Sequence, residues 1–275
     1  MGSRMLSVWR FWRRRGGERS AREISTPPPH HVAVTDIGRA RKSNQDEAAS
    51  VTLADGAVLL IVADGVGGAA GGGVASAATV QAVRAELTNG AGDDPPGALL
   101  RAIESANRRV RKLAAADDTR SQMASTVVAA LVLDTAAWIA SVGDSRGYVI
   151  LEGRLRQVTA DDSWVSEQVR TGLMTEHEAE LSPYRNVLTR GVGVEERVDA
   201  GEIARVALGP GDVVLVCSDG LYGMISEAEI ERVIGGGQSL ETAAHELVRL
   251  ANEAGGADNI SLALYQRPAR AENGD

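Results

Sequence analysis

The sequence predicts an α+β domain in which clusters of strands are separated by pairs of helices. Short runs of Val, Leu and Ile that end at Asp-Gly or Ser-Asp-Gly, such as residues 57–63 and 212–217, are typical of buried strands. Longer stretches over residues 74–87 and 99–115 carry apolar residues at helical spacing. With 275 residues, of which 44% are hydrophobic, the chain can build one large domain or two small ones.

The first half of the chain predicts six strands and two helices. Asp55-Gly56 lies between two apolar runs and is a hairpin turn signal. The second helix follows a loop at residues 93–97, whose Asp and Pro residues are typical of a helix start. The predicted strands cover residues 32–35, 51–54, 57–63, 125–133, 136–142 and 148–151, and the helices cover residues 74–87 and 99–115.

The second half predicts four helices and three strands. Thr175 and Glu178 form the pattern of a capping box at a helix start, and Gly209-Pro210-Gly211 marks a turn between two strands. The helices are predicted over 164–171, from Thr175, from Ser226 and over 238–254, and the strands over 202–206, over 212–217 and from Asp258-Asn259 onwards.

Composition and charge exclude several classes of function. A net charge of −8 argues against a general nucleic-acid-binding protein. The single cysteine, Cys217, excludes an internal disulfide framework and favours a reducing, cytoplasmic compartment. No run approaches the roughly 18 consecutive apolar residues of a membrane span.

Both ends of the chain are predicted to be disordered tails, over residues 1–30 and 267–275, with the folded domain at 31–266. The Trp, Phe and Arg residues at positions 9–15 would also suit contact with anionic lipid. We favour a disordered tail over a membrane contact because the segment is short.

Four aspartates stand at the ends of predicted strands. Asp64-Gly65 alone fits a hairpin turn as well as a metal site. The recurrence of the pattern at Asp144, Asp219 and Asp258 favours the metal site. Carboxylates with almost no competing Cys or His suit hard cations such as Mg²⁺ or Mn²⁺.

Together with other motifs, these aspartates occur in an order found in a known family. Over residues 32–265 the chain resembles the metal-dependent serine/threonine protein phosphatases of type 2C, the PPM family, in their bacterial form. The resemblance rests on Arg41 followed by Asn44-Gln45-Asp46, on the four aspartate motifs, and on residues 186–190. It implies a four-layer α-β-β-α sandwich of two antiparallel sheets flanked by helices, with a flap over residues 164–186.

The resemblance also implies the metal ligands. Asp64 is expected to bridge two cations, the Gly65 carbonyl to be a further ligand, and Asp219 and Asp258 to complete the site. Asp144, with Asp219, is expected to hold a third, weaker ion. The implied cofactors are therefore Mn²⁺ or Mg²⁺, which activate water for in-line attack on phosphorus.

Two further residues receive roles from the same resemblance. Arg41 is expected to bind the substrate phosphate, since a planar guanidinium suits two phosphate oxygens. Asp46 is expected to bind a metal through water. Ser125-Thr126 resembles the start of a family strand, although a Ser/Thr pair is also ordinary strand chemistry.

The sequence departs from the family pattern at four positions. Ala69 and Gly73 stand where many bacterial relatives carry His and Glu, so a side-chain proton donor is missing at Ala69 and slower catalysis is expected. Gln45 stands where some relatives have Glu, and Asp162 stands where many have His.

The leading hypothesis is a monomeric, metal-dependent phosphatase that acts on phosphoserine and phosphothreonine in proteins and opposes a bacterial Ser/Thr kinase. Within the enzyme class, the alternative is a phosphatase of an anti-anti-sigma-type regulator. The alternative from another class is an inactive phosphoprotein-binding module of the same fold, which would be expected to have lost core aspartates.

Overall fold

The computed structural model describes residues 30–268, without the side chains of Ala69 and Ala70. All but the last residue of the predicted tail over residues 1–30, with its alternative of a membrane contact, and residues 269–275 of the predicted tail over residues 267–275 lie outside the described residues. Among the described helices, none combines the length and apolar character that crossing a bilayer requires.

Residues 30–268 form eleven strands and seven helices. The strands are β1 (His31–Asp36), β2 (Asp46–Thr52), β3 (Val58–Val66), β4 (Ala124–Ser125), β5 (Val127–Leu133), β6 (Ala136–Val142), β7 (Arg146–Leu151), β8 (Arg154–Gln157), β9 (Ala204–Ala207), β10 (Val213–Cys217) and β11 (Ile260–Gln266). The helices are α1 (Gly68–Leu87), α2 (Pro95–Ala115), α3 (Trp164–Arg170), α4 (Glu176–Leu181), α5 (Asp219–Tyr222), α6 (Glu227–Ile234) and α7 (Leu240–Glu253).

The strands form two antiparallel sheets that pack face to face. One sheet has the order β1-β11-β10-β7-β8, and the other has the order β2-β3-β5-β6-β9, with β4 paired to β3. Helices α1 and α2 cover the outer face of the β3 sheet, and α6 and α7 cover the outer face of the β10 sheet. A third apolar cluster fills the space between the sheets. The predicted four-layer sandwich is therefore confirmed.

Strand β3 shows why the sequence produces continuous apolar runs. Leu59 and Ile61 pack towards the helices, while Leu60 and Val62 pack towards the other sheet. Because successive side chains point to opposite faces and both faces are buried, the strand needs apolar residues at every position. The core thus extends without interruption to Asp64, near the end of the strand.

The largest difference from the predicted elements is at the start of α1. The helix begins at Gly68, whereas the sequence predicts a start at residue 74. The glycine-rich run is helical because α1 lies directly against the end of β3. A Cβ on Gly72 would be 2.5 Å from the Gly65 carbonyl oxygen, and a Cβ on Gly65 would be 2.0 Å from the Gly72 oxygen. Only glycine permits this approach.

Other boundaries differ in detail. Strand β2 begins at Asp46 rather than at residue 51, and β8 was not predicted. The predicted strand at 125–133 is divided at Thr126 into β4 and β5. The capping box at Thr175 and Glu178 is confirmed, and Ser226 caps α6 as the sequence indicates.

Candidate metal centre

Five aspartates from both sheets meet at one end of the sandwich. Asp46 and Asp64 lie opposite each other in the β2–β3 pairing, and Asp144 lies in the connection between β6 and β7. Asp219 is the first residue of α5, and Asp258 precedes β11. The other four carboxylates all act electrostatically on Asp64, so the structure brings together the aspartates that the sequence singles out.

The backbone of Asp64 is fixed by the Ser-Thr pair that divides β4 from β5. The Asp64 N–H donates to Thr126 Oγ1 at 2.9 Å, and the Asp64 carbonyl accepts from the Thr126 N–H at 2.8 Å and from Ser125 Oγ at 3.0 Å. Thr126 Oγ1 also lies 2.7 Å from Ser145 Oγ. This pair therefore belongs to the site and links Asp64 to the turn that carries Asp144.

Two polar residues next to the candidate ligands in the sequence hold Asp46 and the loop before it in place. Ser218 Oγ donates to Asp46 Oδ2 at 2.7 Å, and Asp46 is almost fully buried. Asn259 accepts from the Gln45 N–H at 2.8 Å and donates to the carbonyls of Ile37 and Ser43. Neither Ser218 nor Asn259 was predicted from the sequence to be a site residue. The available signal was that each stands directly beside a candidate ligand.

Arg41 lies on the loop that Asn259 holds. Its guanidinium donates to Asp258 Oδ2 at 2.5 Å, and the two side chains are 49% and 25% exposed. The positively charged Arg41 guanidinium thus lies at the solvent side of the carboxylate cluster, where a phosphate group could approach it from solvent.

Asp144 is held by a buried network. The Tyr222 hydroxyl donates to the Asp144 carbonyl at 2.9 Å. The Arg146 guanidinium stacks on the Tyr222 ring, 3.8 Å from its centroid, and binds Asp161 through two nitrogens. These contacts hold the backbone at Asp144, while the ion pair of the network is formed by Arg146 and Asp161.

Burial, together with repulsion from neighbouring carboxylates, raises the pKa values of Asp46, Asp64, Asp144 and Asp219. Burial raises the pKa of Asp46 to about 6 and that of Asp144 to about 6. Burial, followed by the charges of Asp144 and Asp258, raises the pKa of Asp219 to about 7. The pKa of Asp64 is raised well above its ordinary value by burial and then by the other aspartates. The cluster thus resists carrying its full negative charge.

The donor set of this cluster suits a hard divalent cation. All candidate side chains are carboxylates, and Asp219 Oδ1 is buried without a hydrogen-bond partner among the described residues. Over residues 30–268, no group of three or more His, Cys, Asp or Glu side chains is arranged to hold a metal ion as the side chains stand. Such an open arrangement remains compatible with Mg²⁺, which keeps several waters and binds through one or two carboxylates.

Comparisons with known proteins give the family. A sequence model described as Protein phosphatase 2C matches residues 38–260. The serine/threonine phosphatase stp of Listeria welshimeri is 35% identical over 245 residues, which are 86% of this chain and 96% of that protein. The chain belongs to the protein phosphatase 2C family.

Solved structures of this family agree with that assignment. The S. agalactiae serine/threonine phosphatase is 33% identical, with a TM-score of 0.81 over 86% of this chain and 98% of that chain. The catalytic domain of the phosphatase PstP, solved in complex with two manganese ions, is 30% identical, with a TM-score of 0.72 over 87% of this chain and 98% of that chain. Membership of the protein phosphatase 2C family confirms the resemblance predicted from the motifs. It also confirms the predicted enzyme class, a metal-dependent protein-serine/threonine phosphatase.

Proposed function

We propose that the five aspartates form a centre for two Mn²⁺ or Mg²⁺ ions and a third, weaker ion, where phosphoserine and phosphothreonine of proteins are hydrolysed. One observation carries the proposal: carboxylates delivered by five separate parts of the chain meet in a largely buried site, where burial and the neighbouring carboxylates raise the pKa values of Asp64 and Asp219. A cluster of buried like charges is unfavourable by itself and becomes favourable around cations. The two manganese ions of the related PstP catalytic domain support the number of tight ions.

The ligand roles are those that the family resemblance implies, and contacts of the described residues support them. Asp64, on which the charges of the other four carboxylates act, would bridge two ions, with the Gly65 carbonyl as a further ligand. Asp219, whose Oδ1 has no hydrogen-bond partner among the described residues, and Asp258 complete this part of the centre. Asp144, whose charge raises the pKa of Asp219 more than the charge of any other carboxylate does, is assigned the weaker ion together with Asp219. When bound, such ions activate water for attack on phosphorus and neutralise phosphoryl charge.

Two residues act on the substrate and on water. Arg41 is partly exposed beside Asp258, and its guanidinium can donate two N–H hydrogen bonds to phosphate oxygens. Asp46, fixed by Ser218, is placed to accept a hydrogen bond from a water molecule and to orient it. The site thus separates binding of the phosphate at its solvent side from orientation of water at its buried side.

Protonation of the leaving group has no obvious side-chain source. The sequence carries Ala69 and Gly73 where many relatives have titratable residues. We assign this proton to water near Asp144, which makes Asp144 important for turnover and less important for binding the two tight ions. Asp144→Ala is expected to keep two tight ions and to lose most turnover, and unchanged turnover would contradict this assignment.

The physiological substrates are proposed to be phosphorylated proteins in the cytoplasm, modified by a bacterial Ser/Thr kinase that this phosphatase opposes. The serine/threonine phosphatase name of the Listeria relative supports the substrate class. A comparison of turnover on a kinase's autophosphorylated form and on a phosphorylated anti-anti-sigma-type protein would separate the two regulatory roles.

The proposal is tested by hydrolysis of a phosphothreonine peptide in EDTA, Mg²⁺ and Mn²⁺. The unmodified protein should require metal, and Asp219→Ala should abolish turnover. Glu246→Gln is the matched control, because Glu246 is a partly exposed carboxylate on α7 whose ion pair with Arg249 is remote from the centre. A folded protein that binds the peptide but shows no turnover with any metal would refute the proposal in favour of a binding module.

A further inference from the structure

Asp162, one of the four residues that depart from the family pattern, bridges two parts of the site. Its Oδ2 accepts from the Gly143 N–H at 3.1 Å, and its own N–H donates to the Gly143 carbonyl at 2.9 Å. Its Oδ1 forms an ion pair with Arg190. Asp162 is 4% exposed, so both oxygens are used in a buried setting.

The turn that Asp162 holds carries Asp144. Gly143 has a φ of +97°, and a Cβ at this position would lie 2.7 Å from Thr126 Cγ2. The turn is therefore pressed against Thr126 on one side and hydrogen-bonded to Asp162 on the other. Thr126 also holds Asp64 through the hydrogen bond from the Asp64 N–H. The hydrogen bonds from Asp162 therefore help to set the position of the Asp144 turn relative to Asp64.

The other partner, Arg190, lies four residues after the end of the flap at residue 186. The two ends of the flap are joined by hydrogen bonds from the Trp164 N–H to the Val187 carbonyl and from the Thr189 N–H to the Asp162 carbonyl, each at 2.8 Å. Arg190 also donates to the Asp199 carbonyl at 3.1 Å. The flap exit, Asp162 and the Asp144 turn are thus connected through one side chain.

We propose that Asp162 is a positioning residue that, with Arg190, fixes the Gly143–Asp144 turn and couples its placement to the flap over residues 164–186. An aspartate suits this role because it offers one acceptor to Gly143 and a second to Arg190. A neutral histidine offers one acceptor, and a protonated histidine would repel the guanidinium. The inference rests on the proposed function in one respect, the assignment of the weaker ion to Asp144.

The first test uses the metal-free protein and requires no activity. Hydrogen–deuterium exchange of the Gly143 amide should become faster by about tenfold or more in Asp162→Ala, because its acceptor is lost. Arg190→Gln should accelerate exchange at residues 187–190 and, to a smaller extent, at Gly143. Asp199→Ala is the matched control: its exposed carboxylate lies 3.8 Å from the same guanidinium, but its carbonyl acceptor is retained, so exchange at Gly143 should not change.

The second test uses Mn²⁺-dependent turnover of a phosphothreonine peptide. Asp162→Ala and Arg190→Gln should each lower kcat by about tenfold and raise the Mn²⁺ concentration for half-maximal activity, with KM changed by about twofold or less. The double variant should be no worse than Asp162→Ala, since the two residues act as one unit. A merely structural role would lower the melting temperature without changing the metal dependence.

The outcomes separate this inference from the proposed function. Unchanged Gly143 exchange in Asp162→Ala would overturn the bridge, whether or not the enzyme is active. If that variant does not fold, Arg190→Gln decides, because the Arg190 side chain is 39% exposed. Unchanged exchange and metal dependence in Arg190→Gln would overturn the coupling. An unmodified protein without metal-dependent turnover would refute the proposed function, while the exchange result would still decide on the bridge.

Discussion

Replacement of Asp219 with Asn is expected to stabilise the metal-free phosphatase while abolishing its activity. Burial and the charges of Asp144 and Asp258 raise the pKa of Asp219 to about 7. Asparagine has nearly the same shape and no charge, and its NH₂ group can donate to the neighbouring carboxylates. The substitution therefore removes an unfavourable ionisation without leaving a cavity.

The magnitude follows from the pKa difference between the folded and unfolded states. In the unfolded chain the Asp219 pKa is near its ordinary value of 3.8, so between pH 3.8 and about 7 the folded protein retains a proton that the unfolded chain has lost. Since the folded state binds more protons, the free energy of unfolding falls as pH rises through this window and is constant above it. Three pKa units correspond to about 4 kcal/mol above pH 7, and one unit to about 1.4 kcal/mol near pH 5.

Urea unfolding in EDTA, followed by circular dichroism, measures this difference. Asp219→Asn should exceed the unmodified protein in free energy of unfolding by up to about 4 kcal/mol at pH 8, and the margin should shrink by more than half at pH 5. Added Mn²⁺ should stabilise the unmodified protein and have little effect on the variant. A folded variant whose stability at pH 8 is equal to or lower than that of the unmodified protein would refute the reasoning.

Three other substitutions test the scaffold around the centre. Thr126→Val should lower the free energy of unfolding by about 1–3 kcal/mol in chemical denaturation, because the Asp64 N–H loses its acceptor; unchanged stability would show that the bond is not needed. Gly65→Ala should abolish the cooperative thermal transition or lower its midpoint strongly, since the new Cβ would lie 2.0 Å from the Gly72 oxygen, and a native melting curve would contradict this steric argument. Asn107→Ala, which releases the loop after the flap from α2, should cost about 2 kcal/mol in urea unfolding without changing Mn²⁺ dependence; a changed metal dependence would mean that the loop contributes to the centre.

The sequence could predict the aspartates because each belongs to a local pattern. An apolar run that fills both faces of a strand and then ends at Asp-Gly, as at Asp64 and Asp219, is visible within ten residues. The same runs predict the central strands closely, since their composition is dictated by burial on both sides. The layer arrangement followed from family resemblance and is confirmed by the structure.

The contacts that hold those aspartates were less visible, because they join distant parts of the chain. Thr126 lies 62 positions from Asp64, and Ser218 lies 172 positions from Asp46. A Ser or Thr in a strand has many ordinary explanations. Only the register of the sheet shows which Ser or Thr contacts the backbone of an aspartate in the site. The predicted start of α1 was wrong for a related reason. Glycine has a low helix propensity, and the close approach of α1 to Gly65 outweighs that low propensity.

The positions of the carboxylates limit how much their mutual repulsion destabilises the fold. Asp46 begins a strand, Asp219 begins a helix, and Asp258 stands before a strand, so the unfavourable charges lie at element ends. The apolar clusters on both sides of each sheet remain intact behind them. Natural proteins tolerate strained or repulsive functional sites when the rest of the fold supplies the stability. Here the same carboxyl groups that oppose folding of the metal-free chain are the ones proposed to bind cations, so metal binding and relief of repulsion are the same event.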